Sequence, residues 1–290
     1  MAIINIRYVP EAMPTNKQKA DIKYAAVQWA EILDDDLSIN VQVWAVNMTG
    51  TGLNAMCIPG FYQAADHPTL TRPQAKLLGA IASHDLNIDL VVVMDTETEW
   101  VLGAESALEV AAGQYSLSTT IMHELCHGLG FLGLCNVYPP VGPAAGQGIY
   151  TAANTLIPLL KRTAAVMNPA VTIPENFFPD SALTGFAVIT PFADLFWHSN
   201  EELVKGMPED DYTAFTFMGV NNIISIGTIP AGQYTVLTAN GGQFEPFITC
   251  DHITGADYLM NPSTEGQYYA VPDASSRAIL NLIGWTVTDD

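Results

Sequence analysis

Positive charge is scarce in this sequence, and charged residues of either sign are few. Lys and Arg number ten against thirty Asp and Glu, charged side chains make up 14% of the 290 residues, and the formal net charge is −20. An electrostatic field of this sign repels the phosphates of nucleic acids and the head groups of anionic lipids. We therefore expect no nucleic-acid partner.

Long apolar runs are also missing. Although 49% of the residues are hydrophobic, no stretch approaches the roughly 18 consecutive apolar residues of a transmembrane helix, so no membrane span is predicted. The opening segment MAIINIRYVP has neither the basic leader nor the long apolar stretch of a signal peptide, and none is predicted within this chain. The composition indicates a globular protein that can bury a large core.

Cysteine is sparse as well. The chain has four cysteines, Cys57, Cys126, Cys135 and Cys250. An even number permits two disulfides without requiring any. So low a count in so long a chain excludes a small scaffold held together by disulfides, and the core must stabilise the fold.

The first hundred residues alternate between strand and helix patterns. Residues 3–8, 39–45 and 88–94 are rich in β-branched residues or alternate apolar with polar side chains, which predicts strands. Residues 17–33 repeat apolar side chains on one helical face, which predicts an amphipathic helix packed on a flat surface. This order predicts an α+β fold with a small mixed sheet and a helix on its back.

The most informative segment is TTIMHELCHGLGFLG, residues 119–133. We predict that it lies on a helix that begins near Ser116 or Ser118, either of which can cap it. His123 and His127 are one helical turn apart and share one side of that helix. Apolar side chains recur every fourth residue and are predicted to face the core: Leu117, Ile121, Leu125 and Leu129.

The spacing H-E-x-x-H at His123, Glu124 and His127 suits a catalytic zinc site. Imidazoles at i and i+4 can direct their nitrogens at one ion, and the glutamate between them lies beside the open coordination position. There Glu124 can take a proton from a zinc-bound water, and the resulting nucleophile attacks a carbonyl group. The bare pattern also occurs by chance with solvent-exposed histidines, but the preceding strands and the G-L-G continuation favour a metal site.

The third zinc ligand needs a separate source. In the metzincins, and in matrix metalloproteinases in particular, a third histidine follows where this chain has Gly133. The segment CDHITGADYLMNPS, residues 250–263, resembles the closing segment of those zinc sites, because His252 precedes Met260 of a YLMNP Met-turn by eight residues. The resemblance implies a zincin-like fold with a mixed twisted sheet, an active-site helix and Met260 as structural support. It implies three zinc ligands: His123, His127 and His252.

The distance from Gly133 to His252 implies a long insertion before the third ligand. Cys135 lies at the start of this insertion and Cys250 directly follows its end, so a disulfide between them would close its base. The implied regions are residues 1–133 as an N-terminal zincin subdomain, residues 134–249 as an insertion beside the cleft with short helices at 151–167 and 192–206, and residues 250–290 with the third ligand, the Met-turn and a C-terminal helix.

Other residues compete with His252 for the third position. The segment SNEELVKG is similar to the helix that supplies a glutamate ligand in thermolysin-like gluzincins, which makes Glu201 or Glu202 a candidate. Asp251 adjoins His252 and could serve instead. Cys126 lies one turn from the first histidine of the motif, but a thiolate suits a hydrolytic site poorly, and a packing role is expected.

The resemblance implies a secreted zinc endopeptidase that acts on protein or peptide substrates. The N-terminal half is also similar to secreted bacterial zincin-like proteins, through HELCHGLGF and the strands before it. Two alternatives stay open: a binding protein or toxin component with a structural zinc, and a toxin protease specific for one target. Calcium is a further candidate at two acidic runs, although such runs are usually solvated: Asp34, Asp35 and Asp36, and Asp210 and Asp211.

Overall fold

The computed structural model describes most of the N-terminal half of the chain, its C-terminal part and short pieces between them. The described residues are 1–62, 69–104, 109–137, 149–151, 160, 162–164, 166–167, 177, 190–192, 228–229, 234–235, 251–253 and 257–288. In chain order the elements are β1 (Ile3–Tyr8), a 3₁₀ turn (Pro10–Ala12), α1 (Asn16–Ile32), β2 (Ser38–Val46), β3 (Ala55–Pro59), β4 (Phe61–Tyr62), β5 (Leu70–Thr71), α2 (Arg72–Leu77), β6 (Leu90–Asp95), β7 (Trp100–Val101), β8 (Tyr115–Ser116), α3 (Leu117–Gly128), β9 (Cys135–Val137), β10 (Ile149–Thr151), β11 (Thr228–Ile229), β12 (Tyr234–Thr235) and α4 (Ala274–Leu282).

A four-stranded mixed sheet has the strand order β1-β2-β6-β3. Strands β1, β2 and β6 are parallel, and β3 pairs with β6 in the antiparallel sense as an edge strand. The apolar residues of β6 are fully buried, as expected for a parallel strand covered on both faces. The α+β class is confirmed. The strands predicted at 3–8, 39–45 and 88–94 are present with their ends shifted by at most two residues, whereas β3 was not predicted.

Helices α1 and α3 pack together in the core on one face of the sheet. α1 begins at a capping box in which Thr15 and Gln18 satisfy each other's backbone N–H groups. Trp29 of α1 is fully buried and donates its indole N–H to the carbonyl of Met122 in α3 at 2.9 Å. The helix predicted over 17–33 is therefore confirmed, and it fixes the position of α3.

The opposite face of the sheet carries a second apolar cluster. Alternation along β6 places Val92 with the helices and its neighbours Val91 and Val93 in the second cluster. The chain that leaves α3 passes from one cluster to the other, because Phe131 belongs to the first and Leu132 to the second. Both faces of the sheet thus contribute to holding the end of α3.

A buried ionic network fixes helix α2. Lys76 is fully buried and pairs with Asp89 at 2.6 Å, and Arg72 approaches the same carboxylate at 3.4 Å. Burial raises the pKa of Asp89, and the hydrogen bond from Lys76 acts against that rise. The position of α2 matters for the motif, because Gln74 of α2 fills the space into which a side chain at position 130 would project. Gly130 also has a φ of +114°, so position 130 favours glycine for both reasons.

Helix α4 is the C-terminal helix expected from the sequence. Asp273 caps it by accepting the backbone N–H of Ser276 at 3.0 Å. Beyond α4, Trp285 is buried and donates its indole N–H to the carbonyl of Leu129 at 2.7 Å. The C-terminal segment is therefore tied to the end of the helix that carries the motif.

Most of the predicted insertion, residues 134–249, lies outside the described residues. Thr151 belongs to β10, which corrects the start of the helix predicted over 151–167, whereas the described residues from Leu160 to Met167 are helical. Of the helix predicted over 192–206, only Phe192 is described. Cys250 also lies outside, so its disulfide with Cys135 stays a prediction. In the described part of the chain, no helix combines the length and the apolar character that crossing a membrane requires.

Candidate metal centre

Helix α3 holds the H-E-x-x-H motif in a buried environment. Its cap is Ser116, whose hydroxyl accepts the backbone N–H of Thr119 at 3.4 Å, so the first of the two predicted caps is used. The four apolar residues predicted to face the core are at most 1% exposed. His123 and His127 are only 4% and 7% exposed, which excludes a chance pair of solvated histidines.

His252 completes a cluster of three imidazoles. Its Nε2 lies 3.2 Å from Nε2 of His123 and 3.3 Å from Nε2 of His127. The Nε2 atoms of the two α3 histidines are 3.1 Å apart. Although His252 is 125 positions from His127 along the chain, the three ring nitrogens meet in one place. Together they form a group that could hold a metal ion.

Backbone carbonyls fix the other ring nitrogen of two of these histidines. Nδ1 of His123 is 2.7 Å from the carbonyl oxygen of Leu259, and Nδ1 of His127 is 2.7 Å from that of Phe131. Since a carbonyl oxygen can only accept, each Nδ1 carries the proton and each Nε2 presents a lone pair to the cluster. The 3.1 Å contact between His123 and His127 therefore joins two lone pairs, with no proton between them.

Burial keeps these imidazoles neutral. It lowers the pKa of His123 to about 4, and it lowers the pKa of His127 well below its ordinary value, to which the neighbouring imidazoles add. Neutral lone pairs in contact repel each other, and a cation between them turns this repulsion into attraction. Nitrogens at tetrahedral positions around zinc, with bonds of about 2.0–2.1 Å, lie about 3.3–3.4 Å apart. The observed separations of 3.1–3.3 Å fit such an ion.

Glu124 shares a cavity with the three histidines. The cavity has a volume of about 190 Å³, and most of its remaining lining is apolar, including Met56, Leu132 and Leu160. Burial raises the pKa of Glu124 to about 8, and a hydrogen bond from the backbone of Cys57 in β3 acts against that rise. Near neutral pH this carboxyl group is mainly protonated, and a cation held by the histidines would favour its ionised form.

The Met-turn supports the cluster through its backbone. Met260 is fully buried in the same core cluster as the apolar side of α3. Its carbonyl accepts the N–H of Ile253 at 3.1 Å, and the carbonyl of Leu259 before it holds His123. The turn at Leu259 and Met260 therefore contacts both α3, through His123, and the segment that carries His252, through Ile253. The sequence directs attention to the Met260 side chain and gives no sign of these main-chain contacts.

Of the other candidates for third ligand, the two that the structure describes do not join the cluster. The carboxylate of Asp251 accepts hydrogen bonds from the backbone N–H groups of Gly133 and Leu134, in the loop after α3. Burial raises the pKa of Asp251 to about 7. Cys126 is buried, carries a free thiol and is not part of the cluster, in agreement with a packing role. Glu201 and Glu202 lie outside the described residues.

The carboxylates of the first acidic run do not form a group of potential metal ligands. They have separate partners: the N-terminal amine for Asp34, the backbone of Thr286 for Asp35 and the imidazole of His84 for Asp36. Within the described residues, the three histidines are the only such group of potential metal ligands. The second run, Asp210 and Asp211, lies outside those residues.

Comparisons with known proteins do not assign a family. Searches against models of protein families, against curated proteins and against solved structures give no significant match. The function is therefore inferred from the three-histidine cluster, from Glu124 and from the cavity that they share.

His252→Ala should abolish stoichiometric metal binding. The variant removes one of three imidazole ligands, so we expect the metal content after dialysis to fall from about one ion per chain to a small fraction of that. Elemental analysis of the purified proteins measures it. His84→Ala is the matched control, because that imidazole is 55% exposed and lies outside the cluster. Equal metal contents in His252→Ala and wild type would exclude His252 as a ligand.

Metal binding at pH 7 should release about one proton, and Glu124 should be its source. The pKa of about 8 leaves Glu124 mainly protonated without metal, whereas His123, with a pKa of about 4, has no proton on Nε2 to lose. A cation beside Glu124 lowers its pKa, so the proton leaves, and the release shrinks as the pH rises above 8. Calorimetry in buffers of different ionisation enthalpy measures it. Equal release by Glu124→Gln and wild type would contradict this assignment.

Proposed function

We propose that this protein is a zinc-dependent endopeptidase of the metzincin type, which hydrolyses peptide bonds in protein or peptide substrates. The observation that carries the proposal is the convergence of three imidazoles, with Nε2 atoms 3.1–3.3 Å apart, in a cavity that also contains Glu124. Catalytic zinc sites combine three protein ligands with an open position, whereas structural sites use four protein ligands.

The roles divide between the histidines and Glu124. The chemistry that zinc supplies when bound is that of a Lewis acid, which polarises a carbonyl group and makes water more acidic. His123, His127 and His252 would hold the ion. The carboxylate of Glu124 accepts a proton from the attacking water and returns it to the departing amine. Its buried position and the hydrogen bond from Cys57 keep it directed into the cavity.

Strand β3 gives the cavity an edge for an extended peptide. It is the outer strand of the sheet, and no strand in the described part of the chain pairs with its other side. Ala55, Met56 and Cys57 of this strand line the cavity together with Glu124. A peptide that adds to this edge would form main-chain hydrogen bonds and bring one of its carbonyl groups to the histidines.

The alternatives have less support. A purely structural zinc would need a fourth protein ligand, and within the described residues the cluster has three members. A glutamate ligand from the region of Glu201 and Glu202 is not needed when His252 stands beside the other two imidazoles. A toxin protease with one target would share this chemistry and differ only in its substrate.

Glu124→Gln should remove peptidase activity and leave zinc binding intact. Loss of a general base lowers kcat/KM by about 10²- to 10⁴-fold, while the three imidazoles of the variant are unchanged. Cleavage of casein and of a peptide library by the zinc-loaded proteins, with zinc content measured in parallel, tests this. Glu31→Gln removes the same charge at an exposed position of α1 and should cleave like wild type.

Two outcomes of that experiment would count against the proposal. Zinc-loaded wild type that cleaves neither casein nor the library would favour a binding role for the site. Cleavage by Glu124→Gln at the wild-type rate would remove Glu124 from the mechanism even if zinc is bound.

A further inference from the structure

We propose that Asp251 is a positioning residue of the metal centre. Its carboxylate binds the segment 251–253 to the loop after α3, residues 129–134, and thereby fixes the imidazole of His252. This rests on the metal site of the proposed function and does not depend on peptide hydrolysis. The contacts of residues 251–253 carry it.

One oxygen of Asp251 accepts hydrogen bonds from two consecutive backbone amides. Oδ1 accepts the N–H of Gly133 and the N–H of Leu134, the second at 3.1 Å. Asp251 is fully buried, so water does not compete for these hydrogen bonds, and buried hydrogen bonds to a carboxyl group are stronger than exposed ones. The residue immediately before His252 is thus bound directly to the loop that leaves the motif helix.

The loop needs a contact of this kind. Leu134 has a φ of +50° and is the only non-glycine residue with a positive φ in the described part of the chain. A leucine rarely adopts this left-handed conformation unless its surroundings hold it there. The hydrogen bond from its own N–H to Asp251 is one contact that does so.

A second anchor lies on the other side of the ligand. The N–H of Ile253 donates to the carbonyl of Met260 at 3.1 Å. His252 therefore lies between two residues that are each hydrogen-bonded to the rest of the site. With both neighbours held, its Nε2 stays within 3.3 Å of the other two imidazoles.

His252 depends on such anchors more than the other ligands do. His123 and His127 are one turn apart on a single helix, so local geometry fixes their separation. Gly133 and Asp251 are 118 positions apart, and closing a long loop costs conformational entropy before the ligand is in place. Asp251 makes its link at the residue next to the ligand, where it restricts the ring most.

The chain offers a matched control in Asp21. Its Oδ1 accepts the N–H groups of Gly103 and Ala104 at 3.1 and 3.2 Å, and it is 3% exposed. As at Asp251, one oxygen of a buried carboxyl group accepts two consecutive backbone amides; Asp21 differs in that its Oδ2 also accepts the N–H of Gly103, at 3.1 Å. Asp21 has no metal-ligand neighbour, so Asp21→Ala shows what the loss of such a contact does to the fold alone.

The experiment measures dissociation constants for Zn²⁺ and Co²⁺, together with the visible spectrum of the Co²⁺ protein. We expect Asp251→Ala to raise the dissociation constants about 10- to 100-fold and to shift the Co²⁺ bands, while Asp21→Ala leaves both unchanged. In a His252→Ala background, Asp251→Ala should change the residual affinity by less than about twofold, because the ring through which it acts is gone.

Two further variants keep the test decisive. Asp251→Asn retains an acceptor oxygen for both amides and should bind the ions close to the wild-type affinity. If Asp251→Ala does not fold, Asp251→Ser takes its place, because its hydroxyl keeps the position polar but is too short to reach both amides. We expect it to weaken metal binding in the same direction.

The possible failures are distinguishable. Wild type that binds neither ion would remove the metal site and, with it, the proposed function. Wild type that binds, with Asp251→Ala or Asp251→Ser equal to it, would overturn the positioning role and leave the proposed function standing. An equal loss in Asp21→Ala, or an undiminished effect in the His252→Ala background, would also overturn that role.

Discussion

The site depends on two imidazole lone pairs that face each other across 3.1 Å inside the protein. Backbone carbonyls hold the protons of His123 and His127 on Nδ1, and burial keeps both rings neutral. A buried acceptor without a donor costs about 1–3 kcal/mol. His252 brings the Nε2 atom of a third imidazole to the same place. A cation bound by all three nitrogens would remove the repulsion between their lone pairs. Glu124 lines the same cavity and therefore lies beside the place where that cation would bind.

The scaffold enforces this arrangement by packing α3 closely against its neighbours. A side chain at Gly128 would meet Leu90 of β6 and the sulfur of Cys57 in β3, so glycine lets the end of the helix approach the sheet. That approach brings Glu124 to the backbone of Cys57. The indole N–H of Trp29 in α1 donates to the carbonyl of Met122 in α3, and that of Trp285 donates to the carbonyl of Leu129, directly after α3. Sheet, helices and Met-turn thus hold the cluster from several sides.

Local periodicity made α1, α3, three of the four strands of the main sheet and the H-E-x-x-H pair predictable, because apolar side chains repeat with the period of the element that buries them. Helix α4 was expected only from the resemblance, and the short helix α2 was not predicted. β3 escaped prediction because AMCIP is short, ends in proline and does not alternate clearly. His252 was reached only through resemblance to a Met-turn, since spacing carries no information about a partner 125 positions away. The carbonyls of Leu259 and Phe131 have no sequence signature at all, and the role of Asp251 depends on tertiary contact.

X-ray absorption spectroscopy of the zinc-loaded protein tests the central claim most directly, because it counts the ligands around the ion without relying on activity or on substitutions. The account predicts three imidazole nitrogens at about 2.0–2.1 Å with one further light-atom ligand and no sulfur. A spectrum with two imidazoles or fewer, or with a sulfur ligand, would contradict it.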